Sequence, residues 1–377
     1  MSESAGLSGK HNQQPLIQLK GIDKLYRTPA GSFTALKGVT VNYYPGEFVS
    51  VQGKSGSGKS TLINMITGID HPTAGTVSVG NVFIHSMKES QMAVWRGRNL
   101  GIVFQFFQLL PTLTVLENVL IPMDLGNCYS PDQRGRIALE LLDRLGLVNE
   151  ADQMPGELSG GQQQIAAIAR ALANDPPVLI ADEPTGNLDA RTADKVFNIF
   201  SEMANKGRTI LMVTHDQAIA RRTQRQLIIS DGELIEENIG QAFGDLPHSE
   251  LLMLTHSMKR ATLLPLEKKA FKEDELVLVT SGTIEWNLDR LNSALKVAEL
   301  RPGGLILQIK VEADQCLIAG PKGAEFLYLD PKKTDQWINQ SASARHFLES
   351  LTSKQAQQFA SAANHDLKRL PGWEELS

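Results

Sequence analysis

The sequence predicts an α/β fold built on a buried sheet that binds a phosphate, followed by a smaller α+β domain. Three observations carry this. Gly53-Lys54-Ser55-Gly56-Ser57-Gly58-Lys59-Ser60-Thr61 has the G-x-x-x-x-G-K-[ST] pattern of a P-loop. It lies between a short apolar strand at 47–51 and apolar residues at helical spacing, Leu62, Ile63, Met65, Ile66 and Ile69. Three apolar runs, 101–104, 178–181 and 209–213, each lead into polar residues, as strands buried in a sheet do. After about residue 240 the pattern changes to one helix, several short strands and further helices, which reads as α+β with a β-roll.

The P-loop implies its own chemistry. A strand, a glycine loop and a helix start aim backbone N–H groups at a phosphate. The glycines let the loop curl where a Cβ would clash. Lys59 is expected to reach the β- and γ-phosphates as a point charge, and the Ser60 hydroxyl to hold Mg²⁺. A Gly/Ser-rich turn with a stray Lys-Ser is the plain alternative; the strand before and the helix after argue against it.

Composition narrows the class. At 377 residues the chain suggests two domains, and 42% hydrophobic with 21% charged residues fits a globular protein with a sizeable core. A net charge of −5 gives no global basic field for nucleic acid or acidic lipid. No apolar run approaches the roughly 18 residues of a membrane span. Residues 1–15 are expected to form a flexible polar tail without the apolar core of a signal peptide. Cys128 and Cys316 make no disulfide framework, so a reducing cytosol is the expected home.

Along the chain, strands are expected at 16–19, 39–43 and 75–80, with a turn at Pro45-Gly46. Gln105 ends the run at 101–104. At the C-terminal end of a parallel strand it points into the ligand crevice, where its amide oxygen can bind Mg²⁺. Residues 133–145 have a helical pattern. Leu158-Ser159-Gly160-Gly161-Gln162 then opens a helix expected at 163–173, a second anion-binding device. One nucleotide does not need two such devices from one subunit, so two subunits are expected to share each nucleotide. The run at 178–181 leads to Asp182, suited to the Mg²⁺ shell, and Glu183, suited to a general base on the attacking water. A lone His is usually structural, but His215 follows the run at 209–213 at a strand's C-terminal end, where a donor can contact the γ-phosphate. A closing hairpin is expected at 228–235.

Together these pieces resemble the nucleotide-binding subunit of ABC transporters over residues 16–239. The motifs are the P-loop, Gln105 of the Q-loop, the signature 158–162, Asp182-Glu183, Asp189 of the D-loop and His215 of the switch. The signature is the specific one, because ordinary P-loop ATPases lack it. The resemblance implies an α/β P-loop NTPase of ABC type with a helical signature subdomain. It also implies ATP and Mg²⁺ as cofactors and stacking of Tyr26 on adenine, with a Tyr packed on the sheet as the plain alternative. The stretch 104–119, the inserted 28–36 and Pro184-Thr185-Gly186-Asn187-Leu188-Asp189 look like the lipoprotein-releasing, macrolide-efflux and cell-division group. That implies a homodimer, a separate membrane permease, and a peripheral position on the cytoplasmic face of the inner (plasma) membrane.

One position departs from the family pattern: Ile165 stands where an Arg is usual, three residues after the signature Gln162. In the second domain, 241–377, a helix is expected at 246–259, strands at 275–286, 295–300, 305–311, 316–319 and 325–329, and helices at 334–351 and 354–367. The order of 279–286 and 297–304 resembles a cyclic-nucleotide-binding domain. That family's Gly-Glu and Arg are missing between Gly304 and Val311, so no cyclic nucleotide is expected.

The expected function is therefore ATP binding and hydrolysis that drives an exporter's permease through dimer closure. A cell-division or signalling complex that transmits force without moving a solute would share the same ATPase core. A soluble ABC ATPase of DNA repair or translation would need two cassettes or a long coiled-coil insertion, and each motif here occurs once.

Overall fold

A computed structural model describes residues 14–29, 31–272, 274–290, 293–307 and 314–367. Most of the expected tail, residues 1–13, and residues 308–311 of the expected strand 305–311 lie outside the described residues. The chain divides into two units, Met1–Leu234 and Ile235–Ser377.

In the first unit the elements run β1 (Ile17–Thr28), β2 (Gly31–Tyr43), β3 (Phe48–Gln52), α1 (Lys59–Thr67), β4 (Ala74–Val79), β5 (Val82–Phe83), α2 (Glu89–Asn99), β6 (Leu100–Val103) and α3 (Val115–Gly126). They continue with α4 (Pro131–Arg144), α5 (Gly160–Leu172), β7 (Val178–Asp182), α6 (Ala190–Asn205), β8 (Thr209–Val213), α7 (Gln217–Ala220), β9 (Arg225–Ser230) and β10 (Glu233–Leu234). One sheet is antiparallel, in the order β2-β1-β4-β5; the other has the order β10-β9-β3-β8-β7-β6 and is parallel from β9 to β6. The expected strand 16–19 is thus the start of a twelve-residue strand, and 39–43 the end of a thirteen-residue one.

The continuous apolar runs are the central strands. Every residue of β8 is buried, as are the first four of β7. The register does the positioning. Val213 pairs with both Val51 and Asp182, so β3, β8 and β7 leave the sheet at one level. One apolar core lies around β1, β2, β3 and α1, and contains Ile17, Tyr43, Val51, Leu62 and Ile66. A second packs α3, α4, α5 and α6 on β7 and β8, and contains Val119, Leu142, Ile168, Phe200 and Met212. The helical subdomain is therefore fastened to the strands that lead to the acidic pair and to His215.

Two helices start earlier than expected. The helix read at 133–145 is α4, which begins at Pro131, a residue whose missing N–H costs nothing in a first turn. The helix read at 163–173 is α5. Ser159 caps it through the Gln162 N–H, so Gly160, Gly161 and Gln162 already form its first turn.

The second unit contains α8 (Glu237–Ala242), α9 (His248–Ser257), β11 (Lys259–Leu263), β12 (Lys268–Ala270), β13 (Leu276–Arg290), β14 (Ser293–Leu300), β15 (Leu305–Leu307), β16 (Asp314–Leu329), α10 (Pro331–Gln340) and α11 (Ala342–Leu367). Its sheet runs β11-β16-β13-β14, with β12 on β16 and β15 on β13. The runs 316–319 and 325–329 belong to one strand, β16. Residues 320–323 between them are an irregularity within that strand, because Ala324 and Ala319 pair with Gly282 and Ile284, only two residues apart on β13. The helices divide at Ser341 and not between 351 and 354. The Ser341 hydroxyl accepts the Ala344 N–H and donates to Glu250, which also accepts the Trp337 indole N–H. Thr352 stays helical, its hydroxyl donating to the Leu348 carbonyl at 2.7 Å.

Candidate functional site

The P-loop spans the step from β3 to α1. A Cβ at Gly53 would strike the Ile229 carbonyl, and Gly58, at φ +110°, faces the Ala35 carbonyl. The glycines are thus required by the packing of the loop against its own unit as well as by its curl. Lys59 is buried at the loop's centre, its ammonium donating to the carbonyls of Gly53 (2.8 Å) and Lys54 (2.9 Å). Ser60 and Thr61 follow in the first turn of α1.

Asp182 meets this loop from the end of β7. Burial pushes its pKa up and the neighbouring Glu183 carboxylate adds to the rise; the Lys59 charge and a hydrogen bond from Ser60 oppose it. Glu183 has φ +48°, a left-handed conformation that a long side chain adopts at a conformational cost. Its N–H donates to the Val213 carbonyl at 2.9 Å, and its Oε2 lies 2.7 Å from His215 Nδ1. The strained residue, the general-base candidate and the partner of His215 are one and the same. Lys59, Ser60, Asp182, Glu183 and His215 form one connected group at the level where β3, β7 and β8 end.

Gln105 follows β6 by two residues. Because Val103 pairs with Ala181, it leaves the sheet beside the acidic pair. Its loop is tightly turned, with Phe107 at φ +36° and Gln108 at φ +51°. Tyr26, in β1, donates its phenol proton to Asp70 at 2.9 Å, and Thr61 hydrogen-bonds the phenol oxygen. The ring is thereby held at the start of α1.

The signature residues form a different group. Ser159 and Gln162 cap one another, and the Gln162 amide donates to Glu150 at 3.1 Å. Ser159 and Gly160 are exposed, and a Cβ on Gly161 would strike the Thr192 methyl. Asp189 belongs here too. It caps α6, accepting the N–H groups of Arg191 and Thr192 and the Thr192 hydroxyl at 2.6 Å. The Thr192 hydroxyl and the backbone bonds keep the Asp189 pKa low.

Sequence reasoning assigned no role to Arg170. Near the C-terminal end of α5 its guanidinium donates to the carbonyls of Phe107 (2.9 Å) and Gln108, in the loop after Gln105. The only available signal was a charged residue in an otherwise apolar helix end. Ile165, in place of the usual Arg, packs partly buried against the core of the helical subdomain.

A phosphate loop, an acidic strand end, a glutamine loop and a separate signature cap together define an ATP-binding cassette. A profile of the ABC transporter family matches residues 36–186. The lipoprotein-releasing system ATP-binding protein LolD of Bacteroides thetaiotaomicron is 41% identical over 220 residues, 58% of this chain and 99% of that protein. The macrolide export ATP-binding/permease protein MacB of Syntrophobacter fumaroxidans is 43% identical over 234 residues, 62% of this chain and 32% of that protein. Among solved structures, the dimeric post-hydrolysis state of the cassette MJ0796 with ADP and Pi matches at a TM-score of 0.55 and 41% identity, covering 58% of this chain and 97% of that one. The chain belongs to the ATP-binding subunits of ABC transporters, in the branch of LolD and MacB. It binds and hydrolyses ATP.

Proposed function

We propose that this chain is the ATPase subunit of an exporter. Two copies close on two nucleotides, each held between the P-loop of one copy and the signature of the other, and closure drives a separate permease at the cytoplasmic face of the plasma membrane. The observation that carries this is the second anion-binding device, exposed at the N-terminus of α5 and grouped with Glu150, Thr192 and Asp189, not with the P-loop of its own chain. The MacB relatives are macrolide export ATP-binding/permease proteins, and this chain matches about a third of their length. Among the described residues, no helix is long and apolar enough to cross a membrane. An apolar groove of about 580 Å³ runs beside the loop after Gln105, lined by Ile69, Val94, Phe104, Leu125 and Arg170, and suits an apolar segment of the permease. Affinity purification of the full chain from membranes is expected to recover a multi-span permease; recovery without any membrane partner would count against the reading.

Mg²⁺ fits the residues present. The Ser60 hydroxyl, the Asp182 carboxylate and the Gln105 amide oxygen are hard oxygen donors, and a magnesium site needs only one or two carboxylates beside the nucleotide's phosphates. Bound there, the ion would neutralise charge on the phosphates. In the metal-free chain, burial and the neighbouring Glu183 carboxylate raise the Asp182 pKa. An acid whose folded pKa is raised binds more protons folded than unfolded, so stability falls as pH rises from the ordinary carboxylate range through the raised value. Asp182→Asn removes that loss. Thermal scans of the metal-free protein at neutral pH are expected to show a higher midpoint for the variant, together with loss of Mg²⁺-dependent ATPase activity. An unchanged or lower midpoint would show that the carboxylate is not under this strain.

The ATPase is proposed to be complete in the first unit, which contains every candidate site residue and both of the cores that position them. A chain stopped after Leu234 is expected to keep basal ATPase activity within about threefold, with altered dimer stability or permease coupling. An insoluble product would place the second unit in the folding core. Titration of the full chain with cAMP and cGMP is expected to show no saturable micromolar binding at the second unit.

A further inference from the structure

We propose that Phe33 is a second aromatic contact for the adenine ring, beside Tyr26. The inference rests on the reading of Tyr26 as the base platform. β1 and β2 are antiparallel, and Tyr26 pairs directly with Phe33. Directly opposed residues of an antiparallel pair project from the same face, with Cβ atoms about 5 Å apart. The hairpin therefore presents two rings side by side.

The two rings differ in their ties. Tyr26 is fixed: its hydroxyl is bound to Asp70, and Lys24 both donates to Asp70 at 2.6 Å and stands 4.8 Å from the ring centroid. The Asp70 side chain thus holds the hydroxyl and the cation together. Burial raises the Asp70 pKa, but the bonds from Lys24 and Tyr26 outweigh it and keep the carboxylate ionised. With Lys24 on one face, the ring has its other face for a base. Phe33 is 58% exposed and belongs to none of the ring pairs among the described residues. Singly exposed apolar residues are ordinary. What sets Phe33 apart is its register, opposite a ring that hydrogen-bonds Thr61 of the P-loop. A nucleotide whose phosphates lie in that loop brings its base to this hairpin. A purine has a large π-face, so a flat apolar neighbour beside the platform adds contact without any new polar group.

The test is calorimetric titration of the full chain and its variants with ATP and, separately, with inorganic tripolyphosphate, which has no base. Phe33→Ala and Phe33→Leu are expected to weaken ATP binding about tenfold, Phe33→Tyr to bind like the unmodified chain, and tripolyphosphate binding to stay unchanged in all three. If Tyr26→Ala weakens ATP while Phe33→Ala stays within twofold of the unmodified chain, Phe33 does not touch the base and the proposal is wrong. Full affinity in Phe33→Leu would overturn the aromatic nature of the contact. Equal losses for ATP and tripolyphosphate would also overturn it, because the effect would not depend on the base. If Tyr26→Ala itself leaves ATP affinity unchanged, the platform reading fails, a result separable from failure at Phe33 alone.

Discussion

Glu183→Gln is expected to stop ATP turnover while leaving ATP bound. Glu183 is one residue beyond β7; its carboxylate lies 2.7 Å from His215 Nδ1, and its backbone N–H donates to the Val213 carbonyl. Gln keeps the length and the hydrogen-bonding capacity of the side chain but cannot take a proton. A positioned general base supplies about 10²–10⁴-fold in rate, and the loss should lie in that range or beyond it. If closure needs ATP and opening needs hydrolysis, the variant should accumulate as a dimer in Mg-ATP, visible by light scattering. A variant that stays monomeric with ATP, while the unmodified chain dimerises, would contradict the shared-site reading. The substitution also removes the negative charge that helps to raise the Asp182 pKa, so the fall in stability with rising pH should become smaller.

Lys59→Ala is expected to abolish ATP binding in the micromolar range. The ammonium is buried in the loop, with two of its protons donated to the carbonyls of Gly53 and Lys54. A hydrogen bond to a charged group contributes about 1.5–3 kcal/mol, and a cation contacting two phosphates makes at least two such bonds. The expected loss of affinity is therefore about 100-fold or more. The variant also strips two loop carbonyls of a donor, so its circular dichroism and thermal midpoint belong beside the calorimetry. Near-native ATP affinity in a folded variant would remove the P-loop assignment.

Much of the site was legible because its signals are local. The P-loop, the continuous runs that became β7 and β8, and the acidic pair all depend on residues within a few positions of each other. What was not legible depends on pairing between distant segments. Nothing in residues 104–110 shows that their carbonyls are held by Arg170. The left-handed backbone of Glu183, whose N–H donates to the Val213 carbonyl, is not reported by any local propensity. In the second unit, 316–319 and 325–329 look like separate strands, and only the pairing with Gly282 and Ile284 joins them into β16. The helix break at Ser341 has a local signal in the bond from the Ala344 N–H, but the Glu250 carboxylate that also holds the Ser341 hydroxyl lies ninety-one positions earlier.

The grip of Arg170 has a mechanical consequence. α5 has the signature at one end and, about 15 Å along, a clamp on the loop that follows Gln105. A helix of this length does not bend easily between two such points, so both ends share one degree of freedom. On the shared-site reading, the signature end senses the partner's nucleotide and the clamped end senses the chain's own. A tilt of α5 at one site is then expected to shift the loop after Gln105 at the other, so that one helix couples the two nucleotides.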